Sequence, residues 1–312
     1  MADGRFAPSP TASLHLGNLR TALVAWLAAR ASGSRFLFRS EDMDRVACRA
    51  EYESSALRDL ALLGLDFDGP IIRQSERAAT YAEVINRLIA EERTYPCFCT
   101  RREVLAEARD SIAAPHEVQK AAAYSGTCRE LDSRGRAERE AAGRSPSLRL
   151  RSNGEVFSFS DQIAGLVEGS VDDFVIRRAD GMPAYNLAVV IDDAEQGIGE
   201  VVRGDDLLET TLRQVALAHL LGNEIPRYLH VPLVFGWDGQ RLAKRHGSVT
   251  LAEQLAAGRT APEILGTFAE SLGLAEVGER PGLRELVSRF RVEKLPHQPW
   301  TLPEDLSGSV TS

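Results

Sequence analysis

Residues 4–18 read Gly-Arg-Phe-Ala-Pro-Ser-Pro-Thr-Ala-Ser-Leu-His-Leu-Gly-Asn and hold the first group of side chains able to do chemistry. The strand-like segment Arg5-Phe6-Ala7 turns at Pro8 and Pro10. It then delivers His15, Gly17 and Asn18 to the start of an apolar helical run over 19–29. Backbone N–H groups point outward at a helix start and the helix dipole favours anions, so phosphates can dock there. Gly17 lets a ligand approach the backbone closely. Taken alone, the pattern equally suits an ordinary strand–turn–helix corner.

A second group lies far along the chain. Gln240-Arg241-Leu242-Ala243-Lys244-Arg245-His246-Gly247 follows a Trp237-Asp238-Gly239 turn and sets Arg241, Lys244 and Arg245 close together. Such a basic loop can clamp a polyphosphate and stabilise charge that develops in nucleotidyl transfer. By itself it also reads as a basic surface turn. The third group is Cys97, Cys99 and Cys128, with His116 and Tyr124 between them. Three thiolates plus one further ligand suit tetrahedral zinc. Histidine is the ordinary fourth ligand, whereas a tyrosine (pKa ~10) must lose a proton to bind. Three reduced cysteines without metal are the alternative.

These groups need elements to position them. Residues 35–39 read as a short strand. Residues 45–63 read as a helix with apolar positions three to four apart, closed by Gly64, and 81–90 repeat the helical pattern. This is the β–α–β rhythm of a parallel sheet, whose ligands bind beyond the carboxyl ends of the strands. The spacing predicts an insertion over 96–170, with short strands at 147–151 and 156–159. The sheet is expected to resume at 174–177 and at 185–192, the latter a continuous apolar run suited to a central strand. After 246 the pattern is helical and ends in a Pro-rich, loose tail over 295–312. The expected organisation is α/β: 1–95 and 171–245 as halves of one Rossmann-like domain, 96–170 as an inserted subdomain, and 246–312 as a helical segment.

The chain has 312 residues, 44% of them hydrophobic, which suffices for a real core and excludes a disordered chain. No signal-peptide pattern precedes residue 14, and the apolar stretch 22–29 is too short to span a bilayer, so a soluble cytoplasmic protein is expected. In that compartment the four cysteines stay reduced, with Cys48 a packed thiol on a helix. The net charge of −8 does not exclude a nucleic-acid partner, because phosphate affinity is local. Between 129 and 151 seven arginines face four acids, a pattern that reads as a solvated helical surface or loop. Gly197-Ile198-Gly199 lacks a third glycine and no P-loop is present, which disfavours a generic dinucleotide-binding protein.

Two anion-handling groups flanking such a sheet resemble the class I glutamyl/glutaminyl-tRNA synthetases. The resemblance rests on ordered motifs: Arg5-Phe-Ala-Pro-Ser-Pro-Thr with Leu-His15-Leu-Gly17-Asn18; Ser40-Glu41-Asp42-Met-Asp44-Arg45; Ala184-Tyr185 through Asp193; Val202-Arg203-Gly204-Asp205-Asp206-Leu207; and Arg241-Leu-Ala-Lys244-Arg245. It implies a class I synthetase fold that joins glutamate to ATP with Mg²⁺ and releases pyrophosphate. It makes His15, Asn18 and Lys244 the catalytic group, and His15, Gly17, Asn18, Arg241 and Lys244 the ATP contacts. Arg5 and Arg203 meet the glutamate carboxylates, Glu41 its ammonium, and Phe6, Ala7, Pro8, Ser9 and Tyr185 shape the pocket. It further implies one structural zinc on Cys97, Cys99, Tyr124 and Cys128, favouring Tyr124 over His116.

The residues after 245 are too few for the anticodon-binding domain of an ordinary member. The chain therefore looks like the shortened, glutamyl-queuosine branch of the family, which attaches glutamate to queuosine in the anticodon of tRNA(Asp), and a monomer is expected. A shortened enzyme that charges tRNA(Glu), and a non-catalytic paralogue that binds tRNA or a partner protein, are the competing readings. Three positions depart from the family pattern: Ala12 for glycine, Arg241 for lysine and Ala243 for serine. The last removes a hydrogen-bonding hydroxyl from the loop.

Overall fold

The structure is a computed structural model that describes residues 2–111, 124–240, 242 and 249–306. Strand β1 (Asp3–Phe6) runs through the proline turn into α1 (Leu16–Ala31), and β2 (Phe36–Ser40) returns parallel to β1. Nearly every side of α1 is buried, because the helix is covered by the sheet on one side and by C-terminal segments on the other. Helix α2 (Ala50–Leu63) ends on Gly64 at φ 74°, a left-handed cap that glycine adopts without strain. β3 (Ile72–Arg73) and α3 (Ala78–Ala90) complete the first half.

Then follow β4 (Thr94–Cys97), α4 (Arg101–Ser111), α5 (Ser133–Ala141), β5 (Ser147–Leu150), the hairpin β6 (Val156–Asp161) and β7 (Gly165–Ser170), and β8 (Val175–Arg177). α6 (Tyr185–Glu195), β9 (Ile198–Gly204), α7 (Thr211–Leu221), β10 (Arg227–Val231) and β11 (Val234–Phe235) lead to α8 (Leu251–Ala256), α9 (Ala261–Ser271), α10 (Leu283–Arg289) and β12 (Trp300–Thr301).

The main sheet has the order β3-β2-β1-β9-β10-β6-β7 and is parallel except for the β6–β7 hairpin at its edge. A mainly parallel sheet with helices on its faces is the expected α/β architecture. The carboxyl ends of β1 and β9 lie side by side because these strands pair in parallel, and the site opens there.

Four expectations change. Residues 185–192 form the first turns of α6, not a central strand. An apolar run buried on all sides carries no 3.6-residue signal, so periodicity cannot separate it from a buried strand. The strand near 174–177 joins a separate antiparallel sheet, β4-β5-β8, rather than the main one. The helix expected from 45 begins only at Ala50. The Asp44 carboxylate accepts the N–H groups of Val46 and Ala47 at 3.0 and 3.1 Å, a turn that competes with helix and leaves Cys48 outside it. Finally, 295–306 is not loose: Leu295, Leu302 and Leu306 are buried, and β12 pairs in parallel with β11. Among the described residues no helix is long and apolar enough to cross a membrane.

Candidate active site and metal cluster

Eleven residues singled out from the sequence line one cavity of about 680 Å³: Arg5, Phe6, Ala7, Pro8 and Ser9 after β1; His15, Gly17 and Asn18 at the start of α1; and Glu41, Tyr185 and Arg203 around them. Leu242 lines the same cavity, whereas Arg241, Ala243 and Lys244 lie outside the described residues. On the far side of that loop, Leu16 N–H donates to Val249 O at 2.8 Å and His15 bridges to Thr250.

His15 caps α1. Its Nδ1 accepts the Asn18 N–H at 3.2 Å, while Asn18 Oδ1 accepts the His15 N–H at 3.2 Å. With Nδ1 accepting, the proton of the neutral ring sits on Nε2, a donor available to an anion. Burial holds the imidazole pKa below its usual value, with Asp206 opposing, so the ring is neutral near pH 7. A Cβ at Gly17 would come within 3.0 Å of the His15 ring and 3.1 Å of Val234, so only glycine fits without displacing the histidine.

Arg5 and Glu41 sit in a buried charge network. Arg5 Nε donates to Asp193 Oδ1 at 3.2 Å, Arg39 Nη1 donates to the same oxygen at 2.7 Å, and Arg39 Nη2 donates to Glu41 Oε1 at 3.2 Å. Burial alone would raise the Asp193 carboxyl, but Arg5 and Arg39 outweigh it and hold its pKa low. Glu41 goes the other way: burial pushes its pKa up more than Arg39 and Arg5 pull it down. Arg203 differs from its neighbours. It donates from Nε to His230 Nε2 at 3.1 Å, from Nη1 to Tyr185 Oη at 3.3 Å and from Nη2 to Thr211 Oγ1 at 2.7 Å. Among the described residues, all its direct hydrogen-bond partners are neutral.

Arg39, Thr211, His230 and Asp161 were not foreseen, and Asp193 was named only as the end of a motif, without a role. A signal existed for Arg39 and Asp193. Arg39 ends a run of apolar strand residues, and Asp192-Asp193 closes an apolar run, so each needs a buried partner of opposite charge.

The cysteine group forms a separate cluster. The sulfurs of Cys97, Cys99 and Cys128 lie within 4.8 Å of one another. Tyr124 Oη is 3.4 Å from Cys97 Sγ and 3.9 Å from Cys99 Sγ, and Cys99 Sγ is 3.5 Å from Cys128 Sγ. A tetrahedral metal with metal–sulfur bonds of ~2.3 Å has ligand–ligand edges of about 3.8 Å, so these spacings fit a tetrahedral metal site. Burial and the neighbouring thiols push Cys99 up to about 12. At Cys128 burial acts the same way, but hydrogen bonds from the Phe98 backbone, Tyr124 and the other two cysteines outweigh it and hold the thiol below its usual value. A cation is what would favour a thiolate at Cys99. His116 lies outside the described residues. The arginine-rich stretch is partly turned inward rather than solvated. Arg149 stacks 3.7 Å from the Tyr124 ring centroid, Arg151 lies 4.8 Å from that of Tyr95, and Arg129 pairs with Asp173 at 2.9 Å.

A main parallel sheet whose carboxyl edge carries a histidine-capped helix and an arginine-lined cavity is the arrangement of a class I synthetase catalytic domain. The family model described as tRNA synthetases class I (E and Q), catalytic domain, matches residues 2–302, and the chain belongs to that family. Its relatives include the glutamyl-Q tRNA(Asp) synthetase of Nocardia farcinica, 53% identical over 97% of this chain and 93% of that protein. That of Symbiobacterium thermophilum is 45% identical over 100% of this chain and 99% of its own length. Among solved structures, a glutamate tRNA ligase from Elizabethkingia meningosepticum in complex with its amino acid superposes with a TM-score of 0.79. It is 25% identical and covers 98% of this chain and 68% of that one.

Proposed function

We propose that this chain activates L-glutamate with ATP and transfers the glutamyl group to queuosine in the anticodon of tRNA(Asp). The relatives support the overall reaction, since two proteins of that name align with the chain over nearly their whole lengths. One observation carries the substrate assignment: Arg203 is buried at the cavity, and all its described hydrogen-bond partners are neutral. A guanidinium has five donors, three of which are used among the described residues, leaving one on each terminal nitrogen. A carboxylate accepts such a pair bidentately and supplies the missing negative charge.

Arg203 and Arg5 meet the two carboxylates of glutamate, and Glu41 meets its ammonium. Phe6, Ala7, Pro8, Ser9 and Tyr185 close around the side chain. The substrate carboxylate attacks the α-phosphate of ATP, and pyrophosphate leaves with the bond that breaks. His15 and Asn18 at the α1 start, with Lys244 and Arg241 of the loop, stabilise the charge that grows on phosphate oxygens. Gly17 admits the nucleotide to the helix terminus, and Mg²⁺ accompanies ATP. A queuosine hydroxyl then takes the acyl group and AMP departs. Cys97, Cys99, Tyr124 and Cys128 hold one structural zinc, whose role is to tie their segments together. The enzyme works as a cytoplasmic monomer. The division into 1–95 with 171–245 as catalytic halves, 96–170 as the tRNA-contact insertion and 246–312 as a helical segment belongs to the same proposal, except that the β6–β7 hairpin (156–170) pairs into the main sheet and so belongs to the catalytic unit.

The test has two stages. Purified chain with ATP, Mg²⁺ and glutamate should catalyse pyrophosphate exchange, and exchange with no glutamate dependence overturns the activation step. Labelled glutamate should then attach to tRNA(Asp) that carries queuosine and not to tRNA(Asp) lacking it. Mapping the label to a terminal adenosine, or charging of tRNA(Glu), overturns the acceptor.

A further inference from the structure

We propose that His230 and Asp161 are positioning residues that hold the Arg203 guanidinium in the orientation in which it takes a substrate carboxylate. The inference rests on the reading of Arg203 as a glutamate contact. Asp161 ends β6, and its carboxylate is saturated. Oδ1 accepts the N–H groups of Ile163 and Ala164 at 2.9 and 2.8 Å, while Oδ2 accepts the His230 N–H at 3.0 Å and its Nδ1–H at 2.6 Å. Four donors fill the lone pairs of two oxygens, so the carboxylate has no room to rotate.

This fixes the histidine. Both side chains are wholly shut off from solvent. With the ring proton held on Nδ1 by Asp161, Nε2 carries a lone pair, and Arg203 Nε lies 3.1 Å from it. Burial pulls the imidazole pKa below its usual value, which keeps that lone pair free near pH 7. Thr211 completes the setting. Its oxygen accepts from Arg203 Nη2 at 2.7 Å, and its hydroxyl proton has two acceptors in reach, Leu207 O at 2.9 Å and His230 Nε2 at 3.1 Å. The Tyr228 ring lies 5.7 Å from the guanidinium carbon.

Arg203 is thus pinned at Nε, Nη1 and Nη2 by acceptors from three other elements. A tautomer shift at His230 would set N–H against N–H and expel the arginine from this position. Because Asp161 belongs to the β6–β7 hairpin, docking of that hairpin beside β10 is part of building the carboxylate site.

The experiment compares His230→Ala and His230→Gln in glutamate-dependent pyrophosphate exchange, with thermal unfolding as the check on folding. The glutamine amide offers an acceptor oxygen and a donor nitrogen, in place of the acceptor and donor nitrogens of the neutral imidazole. His230→Ala should raise KM for glutamate by about 10- to 100-fold, the usual cost of a misplaced contact, and His230→Gln should recover most of it. KM for ATP should stay within about 2-fold, because the nucleotide side is not touched. Equal rises in both constants, or an unchanged glutamate KM, overturn the proposal. The histidine tautomer is read independently by nitrogen-15 NMR of the wild-type chain, also if His230→Ala fails to fold. A bare Nε2 supports the positioning role and a protonated one overturns it. A wild-type chain with no glutamate-dependent exchange sinks the reading of Arg203 instead, and the tautomer still decides the positioning claim.

Discussion

Arg203 directs three of its donors into the fold, and on the proposed function the other two are left for a substrate carboxylate. Tyr185 shows how finely that division is set. Its hydroxyl accepts from Arg203 Nη1 at 3.3 Å, and burial raises the phenol pKa, so it remains a neutral acceptor. Tyr185→Phe removes only that oxygen. Losing one hydrogen bond from a charged donor costs about 1.5–3 kcal/mol, which predicts a rise of roughly 10- to 150-fold in KM for glutamate. Steady-state exchange kinetics measure it, and KM for ATP should not follow. That Arg5, His15, Glu41 and Arg203 belong together was legible in the sequence because their types and order form motifs, and they line one cavity. For Arg39 and Asp193 the sequence signalled a buried charge but not its partner, because Asp193 lies on a helix more than a hundred residues from β2 in sequence.

At the scale of elements, composition misleads where burial is complete. The run from Tyr185 to Asp192 is rich in Val and Ile, which favour strands, yet it forms α6 because tertiary burial overrides propensity. Short strands bounded by turns, such as β2, β5 and β6, were readable close to their observed limits. Helix α2 poses the opposite case, a charge on a buried face. Asp59 is buried beside Ala56, Leu60 and Leu63, and α2 packs against α9. Burial raises the Asp59 carboxyl to about 6, with Arg58 opposing. An acid whose folded pKa lies above its unfolded value destabilises the fold when ionised. That cost is fully present above pH 6, shrinks as pH falls through 6, and is gone below the unfolded pKa of about 3.8. Asp59→Asn should therefore stabilise the chain at pH 8 by about 1–2 kcal/mol, allowing for residual solvent screening. At pH 4 the gain should fall to well under half. Denaturant unfolding at the two pH values checks this, and a gain independent of pH would place its origin in packing.

The whole molecule separates its two functional groups onto two sheets. The main sheet carries the cavity, and the β4-β5-β8 sheet carries Cys97, with Cys99, Tyr124 and Cys128 beside it. The two are joined by an apolar core in which Leu148, Leu150 and Ile176 of the small sheet pack with Ile85 of α3 and Leu187 and Ile191 of α6. Tyr95 and Arg129 both donate to Asp173 beside this core, which anchors the small sheet without help from the cysteines. A metal on the cluster therefore ties 97–99 to 124–128 and does not hold the two sheets together. Removing it by chelation should release one zinc per chain, lower the thermal midpoint and speed hydrogen exchange around 97–99 and 124–131. Binding free energy lost from the folded state appears directly as lost stability. Glutamate-dependent pyrophosphate exchange should stay within about 2-fold, because no cluster residue lines the cavity and uncoupled sites act independently. Metal analysis, calorimetry and exchange kinetics on the same sample separate these effects. If activation collapses in step with zinc loss, the small sheet and the cavity are mechanically coupled through α6, and the division of labour between the sheets is wrong.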